Sequence, residues 1–128
     1  MTLNLYNYRC LVKRVVDGDT VQAEIDLGFH LKFTTMVRML YYDAPEIMRQ
    51  HARSEAELNE GLLAKNELIG LVLDKPGVMI RTQLERGDKY GRVLGLLWIE
   101  GEQNTVNNQM LAFTNAQWIK LGGKPEVK

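Results

Sequence analysis

The stretch Thr20-Val-Gln-Ala-Glu-Ile-Asp-Leu27, followed by Gly28 and then Phe29-His-Leu-Lys-Phe-Thr-Thr-Met-Val-Arg-Met39, decides the fold. In its first half Val21, Ala23, Ile25 and Leu27 are apolar, while Gln22, Glu24 and Asp26 are polar. A period of two describes a strand with one face on a core and one in water. Gly28 interrupts the pattern, and Phe29, Leu31, Phe33, Thr35, Val37 and Met39 resume it. Two alternating arms about a glycine read as a hairpin. Upstream, Arg9 to Val16 is a β-rich run that ends at the turn dipeptide Asp17-Gly18, so three short strands follow one another in a meander.

Beyond the hairpin the period changes. Ser54-Glu-Ala-Glu57 has the form of a capping box, in which Glu57 reaches back to the Ser54 amide. Leu58, Leu62, Leu68, Ile69 and Val72 follow at roughly helical spacing, and Asp74-Lys-Pro76-Gly77 stops the helix. Val78 to Leu84 and Val93 to Ile99 read as strands, and Val106 to Phe113 as a shorter helix. The order βββ-α-ββ-α predicts an α+β, mainly β chain. It would form a five-stranded OB-fold barrel of Greek-key type, with one helix between strands 3 and 4 and a shorter helix after strand 5. Residues 1–121 are expected to form one domain, and residues 122–128 a flexible C-terminal tail.

Composition excludes several classes. The 128 residues are 45% hydrophobic and 25% charged, which suits a folded globular domain and argues against disorder. Cys10 is the only cysteine, so an internal disulfide and a cysteine-zinc cluster are both ruled out. Only His30 and His51 are available as imidazole ligands, so a metal here would be held by oxygen. The first residues carry neither a basic start nor an apolar signal segment, and no run of about 18 apolar residues exists. A cytoplasmic monomer with no membrane association is the resulting expectation, and a phage or prophage origin is compatible with it.

Chemistry-bearing side chains concentrate in three turns: Asp17-Gly-Asp-Thr20, Arg38-x4-Asp43-Ala-Pro-Glu46 and Asp88-Lys-Tyr-Gly-Arg92. Each has an ordinary reading, as a turn that satisfies its own amides or a loop of solvated charge. Taken together they supply two carboxylates and a loop carbonyl suited to a hard cation such as calcium. They also supply a third acid able to act as a general base, and two arginines whose planar forks match phosphate oxygens. That is an inventory for phosphodiester hydrolysis.

These three motifs, with the helical Val106-Asn-Asn-Gln-Met-Leu111, occur in the order found in staphylococcal-nuclease-type (thermonuclease) domains, which the chain resembles from about Arg9 to Trp118. The resemblance implies Ca2+ held by Asp19, Asp43 and the backbone carbonyl of Ala44. It implies Glu46 as general base, and Arg38 and Arg92 as clamps on the five-coordinate phosphorus. Tyr90 and Lys89 would contact the neighbouring phosphate. The substrates implied are DNA and RNA, cut with little sequence preference to leave 3′-phosphates, because phosphate contacts carry no base information. Domains of this kind also occur as non-catalytic nucleic-acid- or protein-binding modules, or as parts of larger assemblies. Such modules characteristically lose the acids and arginines that this chain keeps.

Three departures from the family pattern stand out. Ala44 replaces the usual threonine, which leaves a main-chain ligand intact. Asn115 stands where a glycine usually closes the second helix, a position asparagine serves by adopting the left-handed conformation. The aromatic residues that flank the base have no counterpart near Leu121 and Gly122, and a long basic C-terminal helix is missing. Lost stacking weakens substrate binding. Charge agrees with this: 16 Lys+Arg balance 16 Asp+Glu, although Arg81, Arg86, Lys89 and Arg92 outnumber Glu85 and Asp88 locally. The expectation is weak nucleic-acid binding through few phosphates.

Overall fold

The computed structural model describes residues 6–40, 55–84 and 93–120. Strands β1 (Asn7–Asp17), β2 (Thr20–Gly28) and β3 (Leu31–Met39) form the meander. Helix α1 (Glu55–Val72) follows, then β4 (Val78–Leu84), β5 (Val93–Ile99) and α2 (Val106–Lys120). The strands close into a barrel in the order β1-β2-β3-β5-β4, the OB-type architecture expected from the sequence. Closure is made by a short parallel seam in which Val37, Arg38 and Met39 face Val93, Leu94 and Gly95, and by the antiparallel pairing of β1 with β4. Among the described residues no helix is long and apolar enough to cross a membrane.

The inward positions of every strand meet in one core. Val12, Val21, Ala23, Val37, Ile80 and Leu97 are fully buried there, and Met110 of α2 joins them. Gly95 lets the seam close, since a Cβ at that position would lie 2.8 Å from Val37 Cγ1 and 3.0 Å from Ile80 Cδ1. Any larger residue forces those side chains apart.

Three sequence readings need correction. The buried stripe of α1 is Ala64, Leu68 and Val72, spaced four apart, whereas Leu62 is exposed. Leu62 lies two residues from Ala64, which turns it about 200° around the helix to the solvent side. Helix α2 does not stop near Phe113 but continues to Lys120, so Asn115 is a residue within the helix and not its cap. The hydroxyl of Thr114 donates to the Met110 and Leu111 carbonyls at 3.0 and 3.1 Å, carrying this weak helix former along. Phe29 and His30 form the hairpin turn in the left-handed region, with φ of 55° and 63°, and Phe29, Leu31 and Phe33 are exposed rather than turned onto a core.

The stop after α1 is as expected. Asp74 turns left-handed at φ 53° and its amide bonds the Val12 carbonyl at 3.0 Å, which ties the helix exit to β1.

Candidate active site

The turn between β1 and β2 is built by its own acids. Asp17 Oδ1 accepts the Asp19 amide at 3.0 Å, a local Asx bond that frees Asp19 from serving the turn. Asp19 Oδ1 instead accepts the Thr20 hydroxyl at 3.0 Å, while its Oδ2 pairs with Arg38 Nη1. The main chain adds a further tie, since the Met39 amide donates to the Asp19 carbonyl at 2.8 Å. Thr20 and Arg38 are register partners in the β2–β3 ladder, so residues far apart in sequence meet because the hairpin folds back. The pair is largely shielded, with the Arg38 and Asp19 side chains 21% and 13% exposed, so their attraction is less screened than that of a surface pair.

The end of β3 is fixed on both sides. The Leu40 amide donates to the Gly95 carbonyl at 2.9 Å. The Leu40 carbonyl accepts Asn107 Nδ2 at 2.8 Å. Asn107 also donates to the Gly95 carbonyl at 3.0 Å and accepts the Leu97 amide at its Oδ1 at 2.9 Å. Only 2% exposed, this one amide joins the first turn of α2 to β5 and to the point where β3 gives way to residues 41–54. The sequence motif contained Asn107 but assigned it no task. Its one sequence signal is a polar residue between Val106 and Met110, both wholly buried.

Of the residues singled out in the sequence, the structure therefore brings Asp19 and Arg38 into direct contact. Asp43, Ala44, Glu46, His51, Lys89, Tyr90 and Arg92 lie outside the described residues. Their attachment points are defined: Leu40 precedes the Asp43 segment by three positions, and Val93, which directly follows Arg92, pairs with Val37 beside Arg38. Among the described residues no group of three or more His, Cys, Asp or Glu converges as a metal site.

A closed five-stranded barrel with a helix inserted after β3, carrying an acid–arginine pair at the end of its hairpin, is the framework of one protein class. Residues 36–124 match the staphylococcal nuclease homologue family, and the chain belongs to it. The matched stretch includes Arg38, Asp43, Glu46 and Arg92, and Asp19 precedes it. The chain is also similar to endonuclease YhcR of Bacillus subtilis strain 168, at 32% identity over 107 residues. Those residues are 81% of this chain and 8% of that much longer relative.

Proposed function

We propose that the chain is a calcium-dependent nuclease domain that hydrolyses phosphodiester bonds in DNA and RNA with little sequence preference. The observation that carries this reading is the Asp19–Arg38 pair, held at the root of the segment that bears Asp43 and Glu46. Family membership and the endonuclease relative support it.

Asp19 is a carboxylate of fixed orientation, shielded from bulk water, and its oxygens are the donors a hard cation takes. Asp43 and the Ala44 carbonyl would complete the ligand set, and the cation would polarise a phosphate oxygen and lower the pKa of nearby water. The protein's own groups do the rest. Glu46 takes the proton of the attacking water, whose oxygen forms a new bond to phosphorus. The P–O5′ bond breaks, the 5′-oxygen leaves and takes a proton from solvent water, and the 3′-phosphate stays on the other fragment. Arg38 and Arg92 donate in fork geometry to the equatorial oxygens, where charge accumulates as phosphorus becomes five-coordinate. Tyr90 and Lys89 hold the adjoining phosphate.

The test is cleavage of plasmid and single-stranded DNA with calcium or with EGTA, beside Glu46→Gln. Calcium-dependent cleavage that disappears in Glu46→Gln is the expected result. Equal inactivity of both proteins across metals and pH overturns the reading.

A further inference from the structure

Side chains alternate across each strand, so the inward positions Val37, Met39, Gly95, Leu97 and Ile80 leave a matching set outside. On the β3–β5–β4 sheet the outward set is Arg38, Leu40, Leu94, Leu96, Gln83 and Arg81. Strand register lays these out in rows. Arg38 faces Leu94, which faces Gln83, and one step along Leu96 faces Arg81. Leu40, Leu96, Arg81, Thr82 and Gln83 line a shallow cavity of about 310 Å³, at the small end of the range of roughly 300–1,000 Å³ usual for ligand pockets. Its edge at Leu40 lies two positions along the same face from Arg38, and it extends across β5 and β4.

Among the described residues Arg81 and Arg14 are the strand cations outside the ion pairs, and of the two Arg81 lines the cavity. Arg9 pairs with Glu100, Lys13 and Lys32 both pair with Glu24, and Arg38 pairs with Asp19. Arg81 is exposed and makes no ion pair with a described residue. It also belongs to the basic stretch between Arg81 and Arg92, of which the cleavage chemistry uses Lys89 and Arg92 and leaves Arg81 and Arg86 without a task. A guanidinium with no ion-pair partner among the described residues, over a floor of two leucines and with the Gln83 amide at the rim, offers a base an apolar and cationic stacking surface and a phosphate a fork.

We propose that this outer face, centred on Arg81, is a second nucleotide subsite that holds single-stranded nucleic acid flanking the cleaved phosphate. It rests on the nuclease reading, because Arg38 marks the cleaved phosphate. Strand spacing and rise put the Arg38 and Arg81 Cα atoms about 12 Å apart, a reach that an extended single strand spans within a few nucleotides.

Binding of 5′-labelled oligodeoxynucleotides, followed by anisotropy in EGTA, separates this subsite from the cleavage centre. A dinucleotide with one phosphodiester reaches only the centre, and an octanucleotide reaches both. In Arg81→Ala the octanucleotide-to-dinucleotide affinity ratio is expected to fall about fivefold. The octanucleotide's log–log salt slope should shrink by about 0.7, the value of one single-strand phosphate. Arg81→Glu should lower the ratio further and Arg81→Lys should restore the slope but not the ratio, because lysine keeps the charge and loses the stacking plane. An unchanged ratio and slope in Arg81→Ala overturn the proposal, as does a wild-type protein that binds both oligonucleotides equally. Because no step here requires cleavage, a catalytically inert wild type would sink the nuclease reading while leaving this result readable.

Discussion

At the Thr20–Arg38 end of the β2–β3 ladder, Val21, Val37 and Met39 are sealed into the core, and Asp19 and Arg38 are paired above them. At the Gly28–Leu31 end the same alternation continues through Leu27, Leu31 and Phe33, yet these side chains are exposed, and Phe29 at the tip is 94% exposed. The residues are of one class and the register is continuous. What differs is the third layer. Strand β5 pairs with β3 only at Val37–Met39, and β1 accompanies β2 only as far as Asp26. Past those points no described strand pairs with the hairpin, which flanks an apolar cleft of about 510 Å³ that Tyr6 and Tyr8 line from the other side. Alternation thus states which face is apolar, and burial follows only where another strand or helix reaches it. The nuclease reading puts its chemistry at the end that is held, where a side chain is kept in place by packing on several sides.

The sharpest way to break this comparison is at the held end. Arg38→Lys keeps the charge opposite Asp19 but loses the planar fork, and cleavage should fall by on the order of 10²–10³ while the fold persists. Cleavage rate and far-ultraviolet circular dichroism, measured together, check it; a lysine variant that cuts normally would remove Arg38 from the phosphate. Asn107→Ala comes next. It strands the Leu97 amide and the Leu40 carbonyl, while the Gly95 carbonyl keeps the Leu40 amide, and urea unfolding should report a loss of about 3 kcal/mol.

A matched pair tests the two ends of the ladder directly. Met39→Ala should cost about 3 kcal/mol by opening a cavity, and Leu31→Ala less than about 0.5 kcal/mol, although both sit at inward positions of the same strand. Similar losses in the two would mean that the hairpin end is covered after all.

Cys10 marks the boundary, since it pairs with Ile25, the last buried residue of β2. Burial pushes its thiol from the ordinary 9.0 up to about 12. Below about pH 9 the thiol is neutral in both the folded and the unfolded chain. Between there and pH 12 the unfolded chain loses the proton and the native state keeps it. Stability therefore falls as pH rises, by up to about 1.4 kcal/mol per pH unit from this group. Urea midpoints from pH 8 to pH 10.5 should decline more steeply for the wild type than for Cys10→Ala.

Most of the fold was legible because its signals are local. The alternation of β2 and β3, the turn acids and the Asp74–Gly77 stop each act within a few residues, and β4 and β5 have the bounds the sequence indicated. What escaped was set by neighbours remote in the chain. Nothing near Leu31 says that β5 ends its pairing at Val37, and nothing near Leu62 says that the stripe of Ala64, Leu68 and Val72 will face the core. The acid–arginine pair was legible as two motifs, while their contact depends on the hairpin register. Asn107 was hidden for the same reason, because its partners Leu40, Gly95 and Leu97 lie on two other elements.

That single amide has a consequence for how the molecule opens. Since Asn107 holds α2 to β5 and also holds the exit of β3, the helix cannot lift away without releasing the backbone that leads to Asp43 and Glu46. Undocking of α2 and release of the β3 exit at Leu40 are then one cooperative event. In native-state hydrogen exchange the amides of Leu40 and Leu97 should share an opening free energy, and activity should vanish at the denaturant concentration where that common opening becomes populated, ahead of the barrel itself.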